Sequence, residues 1–138
     1  MMQSSSALPM PKFLTTQTVL RIHDRQIEKY GGASGIRDPD LLDSALAQPQ
    51  ATFSGILLHP TLWTQAAAYL FHIAMNHPFL DGNKRTAYAV MRTFLKLNGF
   101  TLNLSEDEKF EFVIRVVTGE MSKEDIATYL EESSVSRS

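Results

Sequence analysis

At 138 residues the chain is long enough for one domain with a genuine core, and its 43% hydrophobic content is ordinary for a globular protein. A net charge of −2 gives no electrostatic footprint for direct nucleic-acid binding, and the lack of cysteine excludes disulfides and thiolate metal sites. There is no charged-then-apolar leader, and no apolar run approaches the ~18 residues of a membrane span, so the expectation is a soluble cytoplasmic protein without a membrane partner.

The first dozen residues, 1–12, are rich in Ser and Pro and read as a flexible segment, followed by a single domain over 13–132. Thr15 or Thr16 caps a first helix that turns Val19, Ile22, Ile27 and Tyr30 inward and stops at Gly31-Gly32. Asp38-Pro39 starts a short second helix, with the proline placed where a missing N–H costs nothing. Its stripe of Leu41, Leu42, Ala45 and Leu46 ends at Pro49, and the stretch from Gln48 to Pro60 reads as irregular.

The third helix, Leu62 to Asn76, is apolar on nearly every side, the pattern of a helix surrounded by others. A fourth runs from Asn83 to Asn98 with Ala87, Val90, Met91, Phe94 and Leu95 on one face, and Gly99 closes it. Ser105 opens a fifth helix through a capping box with Glu108, and Ser122 caps a sixth carrying Ile126, Tyr129 and Leu130. Phe100 to Leu104 is the only strand candidate, and residues 133–138 read as a frayed tail. The fold class is all-α, a six-helix bundle around a buried central pair.

The segment joining that pair carries the chemistry: His77-Pro78-Phe79-Leu80-Asp81-Gly82-Asn83-Lys84-Arg85. Pro78 disfavours the α region for His77, so the third helix ends there with the imidazole projecting beyond it. Phe79 plugs into the core and pins the loop, and Gly82 lets the backbone approach a ligand closely. Asn83, Lys84 and Arg85 fill the first turn of the fourth helix, where free N–H groups and the positive dipole end favour an anion. Two cations there oppose the macrodipole at about 0.3–1 kcal/mol each, an imbalance that a bound polyphosphate would offset. Asp81 is suited to Mg²⁺, which takes a carboxylate together with phosphate oxygens, and His77 is suited to accept a proton from a hydroxyl. The reaction class is transfer of a phosphoryl or nucleotidyl group to a hydroxyl.

These nine residues resemble the core motif of the Fic/Doc family, HxFx(D/E)GNGRxxR. Ala67-Ala68-Tyr69-Leu70 and Gly35-Ile36-Arg37-Asp38-Pro39 resemble its compact Doc branch, and the likeness spans about residues 14 to 132. Lys84 stands where the Fic motif has its second glycine, and Tyr88 where it has its last arginine. Both departures match the Doc pattern, closer to HxFx(D/N)(G/A)NKR.

The resemblance implies a protein Ser/Thr kinase using ATP and Mg²⁺, with the nucleotide inverted relative to AMP-transferring Fic enzymes. By the same resemblance His77 is the general base, Asp81 the Mg²⁺ ligand, and Asn83, Lys84 and Arg85 the phosphate contacts, with Gly82 lending its N–H. Tyr88 has no counterpart in that assignment and packs or stacks. The resemblance also implies a toxin held inactive by a small cognate antitoxin with a disordered tail, and a target in translation, an elongation factor. The self-inhibiting pattern (S/T)xxxE(G/N) is absent; Thr128 and Glu132 are followed by Ser133. Inhibition by a separate chain, laid as a helix in a groove, fits that.

Two alternatives stand beside this reading: a nucleotidyltransferase on the same residues, and a catalytically silent binding module. Taken singly, Asp81 is an ordinary N-cap, His77 a surface histidine, and Lys84 with Arg85 a solvated pair; the conjunction carries the chemistry. His72 and His77 lie five apart, about 140° around a helix, and cannot form a zinc pair. His72 reads as a hydrogen-bonded residue of its helix, His23 and His59 as structural or surface residues, and Arg37-Asp38 as a turn and cap.

Overall fold

The caps legible in the sequence each start a helix in the computed structural model, which describes residues 11–137. Thr15 accepts from the Thr18 N–H to open α1 (Thr16–Tyr30), and Asp38 accepts from the Leu41 N–H to open α2 (Pro39–Ala47). A single 3-10 turn, Gln48–Gln50, and a hairpin of β1 (Thr52–Phe53) and β2 (Ile56–Leu57) follow. The stretch read as irregular therefore contains a small hairpin. A capping box at Thr61 starts α3 (Leu62–Asn76), and α4 spans Asn83–Leu97. After β3 (Phe100–Leu102), capping boxes at Ser105 and Ser122 start α5 (Glu106–Val117) and α6 (Lys123–Ser133), and β4 covers Ser134–Ser136.

The fold is all-α around a central pair. Helix α3 buries Gln65, Ala66, Ala67, Ala68, Tyr69, Leu70, Ile73 and Ala74, which leaves it almost no solvent face; α4, α6 and α2 surround it. Its alanines let those neighbours approach closely, while Tyr69 fills the space between. The Tyr69 hydroxyl accepts the Leu14 N–H at 3.0 Å inside the core, tying the chain ahead of α1 to the centre. From α4, Ala87, Val90, Met91, Phe94 and Leu95 complete the core at zero exposure, on the face that the sequence periodicity marks.

Three expectations change. The end read as frayed is a strand: β4 pairs antiparallel with β3, Phe100 opposite Ser136 and Leu102 opposite Ser134. Arg137 extends the pairing through its N–H to the Gly99 carbonyl, and its guanidinium donates to the Lys96 carbonyl. A serine-rich tail carries no strand signal of its own; the free edge of β3 supplies it. At the other end, Lys12 is held by Asn98, whose side chain both accepts its N–H and donates to its carbonyl, so the expected flexible segment stops short of it. The rest of that expectation, residues 1–10, lies outside the described residues. Tyr30, expected inward, is 47% exposed.

Candidate functional site

The loop between α3 and α4 is held from four directions. Helix α3 ends at His77, which adopts a left-handed conformation (φ 50°, ψ 55°) instead of the extended one expected ahead of proline. Histidine is among the residues that tolerate this region, and the turn is fixed from outside. Arg37 donates from Nε to the His77 carbonyl at 2.7 Å and from Nη2 to the Asn76 carbonyl at 3.0 Å, so a cation sits on the negative end of α3. Its backbone contributes as well: the Arg37 and Asp38 N–H groups both donate to the Pro78 carbonyl, Ile36 bridges Phe79, and Leu80 N–H donates to the Gly35 carbonyl. Arg37, read as part of a turn, is thus the outer clamp of the loop.

From below, Phe79 is 1% exposed and lies flat on His23 of α1, ring centroids 3.9 Å apart and planes 7° from parallel. His23, itself 2% exposed, places Nε2 2.9 Å from the Asp81 carbonyl oxygen. From the α4 side, the Asn83 amide brackets Phe79, accepting its N–H at 2.9 Å and donating to its carbonyl at 3.0 Å. The Asn83 side chain is therefore committed to the loop, and what it offers an anion is its backbone N–H. The fourth hold falls on Asp81, whose Oδ2 accepts the Ala33 N–H at 3.1 Å. Gly32 makes that approach feasible: a Cβ there would stand 3.0 Å from Oδ2, and its φ of 115° suits glycine.

What remains outward is the candidate ligand face. His77 and Asp81 are exposed, as are Lys84 and Arg85. Gly82 caps α4 in a left-handed conformation with no side chain to satisfy the helix N–H groups, and the first turn contains no acidic residue. The N–H groups of Asn83, Lys84 and Arg85 are thus free for an anion, with two cationic side chains beside them. Lys84 makes no ion pair among the described residues, whereas the Arg85 guanidinium rests 4.4 Å over the ring of the exposed Tyr30. Tyr88 is 6% exposed with the Lys109 ammonium 4.9 Å over its ring, and burial raises its hydroxyl pKa to about 12. It is a packing residue one turn inside the helix.

The segment that carries the motif and the helix pair around it belongs to a stretch that matches a known family: the model of the Fic/DOC family matches residues 13–95. The chain belongs to the Fic/DOC family. It is similar to "Toxin Doc" of Mycolicibacterium smegmatis (strain ATCC 700084 / mc(2)155), 43% identical over 103 residues covering 73% of this chain and 79% of that protein. It is also similar to "Protein kinase doc" of Escherichia phage P1, 29% identical over 119 residues covering 86% of this chain and 93% of the relative. Within this Fic/DOC domain, His23 is the residue that inspection of the sequence undervalued. The signal was there: Val19, His23 and Ile27 follow one another at i, i+4, i+8 on the inner stripe of α1.

The other histidines of this Fic/DOC domain form a separate cluster. The Lys123 ammonium lies 3.1 Å from His72 Nε2 and 3.2 Å from His59 Nε2. An ammonium only donates, so both imidazoles are neutral acceptors with their protons on Nδ1. Burial, then Lys123 and His59, lowers the His72 pKa to about 4; burial followed by Lys123 lowers that of His59. The unfolded chain takes up these protons near the ordinary histidine value of 6.5, whereas the folded chain protonates His72 only near pH 4 and His59 below its ordinary value. Between those values the unfolded state binds more protons, so stability is expected to fall as pH drops from 6.5 toward 4. Urea unfolding across that range checks this: the native midpoint should decline with acid, and His72→Gln should flatten the decline.

Proposed function

We propose that the chain is a Doc-like toxin that transfers the γ-phosphoryl group of Mg-ATP to a Ser or Thr hydroxyl of a target protein, a translation elongation factor. Lys84 is the single observation that favours phosphoryl over nucleotidyl transfer. It fills the position where AMP-transferring relatives have a glycine, and it stands exposed in the first turn of α4 beside the uncapped N–H groups. The name of the phage relative, a protein kinase, supports the same choice.

The residues present fit the magnesium that this reading requires. Asp81 is exposed and uses one carboxylate oxygen for the Ala33 N–H, which leaves Oδ1 for a hard cation. Among the described residues no three His, Asp or Glu side chains converge, so the remaining ligands would be phosphate oxygens and water. When bound, the ion supplies neutralisation of charge on the phosphates. The chain's own groups do the rest. The N–H groups at the start of α4 and Lys84 hold the phosphates in line. His77 takes the proton of the target hydroxyl as its oxygen bonds to the γ-phosphorus, the bridging P–O bond breaks and ADP leaves.

The partner under this reading is a small cognate antitoxin with a disordered tail that folds as a helix into a groove of the domain. Action on a translation factor implies a cytoplasmic protein. Among the described residues no helix is long and apolar enough to cross a membrane.

Incubation with cell lysate and, separately, α- and γ-labelled ATP tests the assignment. Label should enter one protein band from the γ position only. Label arriving from the α position would convert the assignment to nucleotidyl transfer, and no label from either would support the silent binding module.

A further inference from the structure

The bond from His23 to the loop has a particular target: the peptide plane that joins Asp81 to Gly82. A carbonyl oxygen only accepts, so the His23 Nε2 carries a proton and donates it across 2.9 Å. The described chain contains no cis peptide, and in a trans peptide C=O and N–H point to opposite sides. With the Asp81 carbonyl turned inward onto a ring that is 2% exposed, the Gly82 N–H is turned outward, away from α1. It has no acceptor among the described residues. Outward Gly82 N–H and the free N–H groups of Asn83, Lys84 and Arg85 then form four consecutive donors at one helix end.

That orientation is not guaranteed by the backbone. Gly82 sits at φ 73°, and glycine accepts either sign of φ, so the plane is free to rotate by half a turn at small steric expense. Flipped, it would present a carbonyl oxygen to the seat that Lys84 and Arg85 flank, and repel a phosphate. The other holds on the loop act elsewhere: Asn83 on the Phe79 backbone, Ala33 on the Asp81 carboxylate, Arg37 on the carbonyls of Asn76 and His77. Among the described residues His23 alone bonds this plane, and its stacking on Phe79 fixes the ring that does so.

We propose that His23 is a positioning residue of the phosphate site: its Nε2–H locks the Asp81–Gly82 peptide with the Gly82 N–H facing the nucleotide phosphates. This rests on the reading of α4 as the phosphate seat. His23→Phe keeps a flat ring against Phe79 and removes the donor; His23→Gln restores an amide N–H near the Nε2 position.

Two measurements on the full chain test it: calorimetric titration with Mg-ATP, and the Gly82 N–H vector from residual dipolar couplings without nucleotide. A folded His23→Phe variant should bind at least about tenfold more weakly, the loss of one donor to a charged group. It should also show a reoriented Gly82 N–H, and His23→Gln should recover most of both. Native affinity or a native Gly82 vector in folded His23→Phe overturns the proposal. A native chain that does not bind Mg-ATP overturns the phosphate-seat reading instead, while the Gly82 vector still reports whether His23 sets the plane.

Discussion

His77→Asn is expected to lower phosphoryl transfer by about 10²–10⁴-fold, the usual contribution of a positioned general base, while ATP affinity stays near native. The choice of asparagine follows from the backbone. His77 holds φ at 50°, where alanine would add strain of about 1–2 kcal/mol, whereas asparagine tolerates the left-handed region. Its imidazole is exposed and has no hydrogen-bond partner among the described residues, so removing it costs little folding energy. The bonds that set the loop here run through the His77 carbonyl to Arg37, and these survive the substitution. A stopped or single-turnover assay with γ-labelled ATP separates the effects: binding unchanged, chemistry lost. Transfer at the native rate in His77→Asn would remove the imidazole from the mechanism and leave the proton to another acceptor.

How much of this could be read from the chain alone depends on the range of the contact. Helix starts were legible because a cap is a local event: Asp38 bonds Leu41, Ser105 bonds Glu108, Ser122 bonds Asp125. The motif was legible for the same reason, since nine adjacent residues build most of the ligand face. What escaped were contacts between distant positions. His23 meets Asp81 across 58 residues and Arg37 meets His77 across 40, and neither pairing leaves a trace in local periodicity. The serine strand β4 exists because β3 offers an edge, which no reading of Ser134-Val135-Ser136 would supply. Asn83 shows the limit within the motif itself. Its type suits a phosphate contact, yet the structure commits the amide to both polar groups of Phe79. A residue that looks like a ligand group is here part of what shapes the loop.

Phe79→Ala should be the most damaging core substitution near the site, lowering folding stability by about 3–5 kcal/mol. Against a typical total of about 5–15 kcal/mol, that is enough to leave part of the chain unfolded at 37 °C. Three consequences add up. The cavity left by a ring 1% exposed cannot collapse easily, because His23, which lies flat against it, is itself buried and hydrogen-bonded in place. The parallel stack with His23 is lost, and with it the support that keeps Nε2 aimed at the Asp81 carbonyl. The loop backbone keeps its bonds to Asn83 but no longer has a side chain anchored beneath it. Phe79→Leu separates these terms, since it retains most of the apolar burial and removes only the flat surface. Urea unfolding should therefore rank the variants native, Leu, then Ala, with Leu much the nearer to native. Phosphate-site binding should weaken in folded Phe79→Leu, because the stack positions His23. A Phe79→Ala midpoint close to native would mean that the loop is held by its polar contacts alone and that the buried ring is packing without consequence.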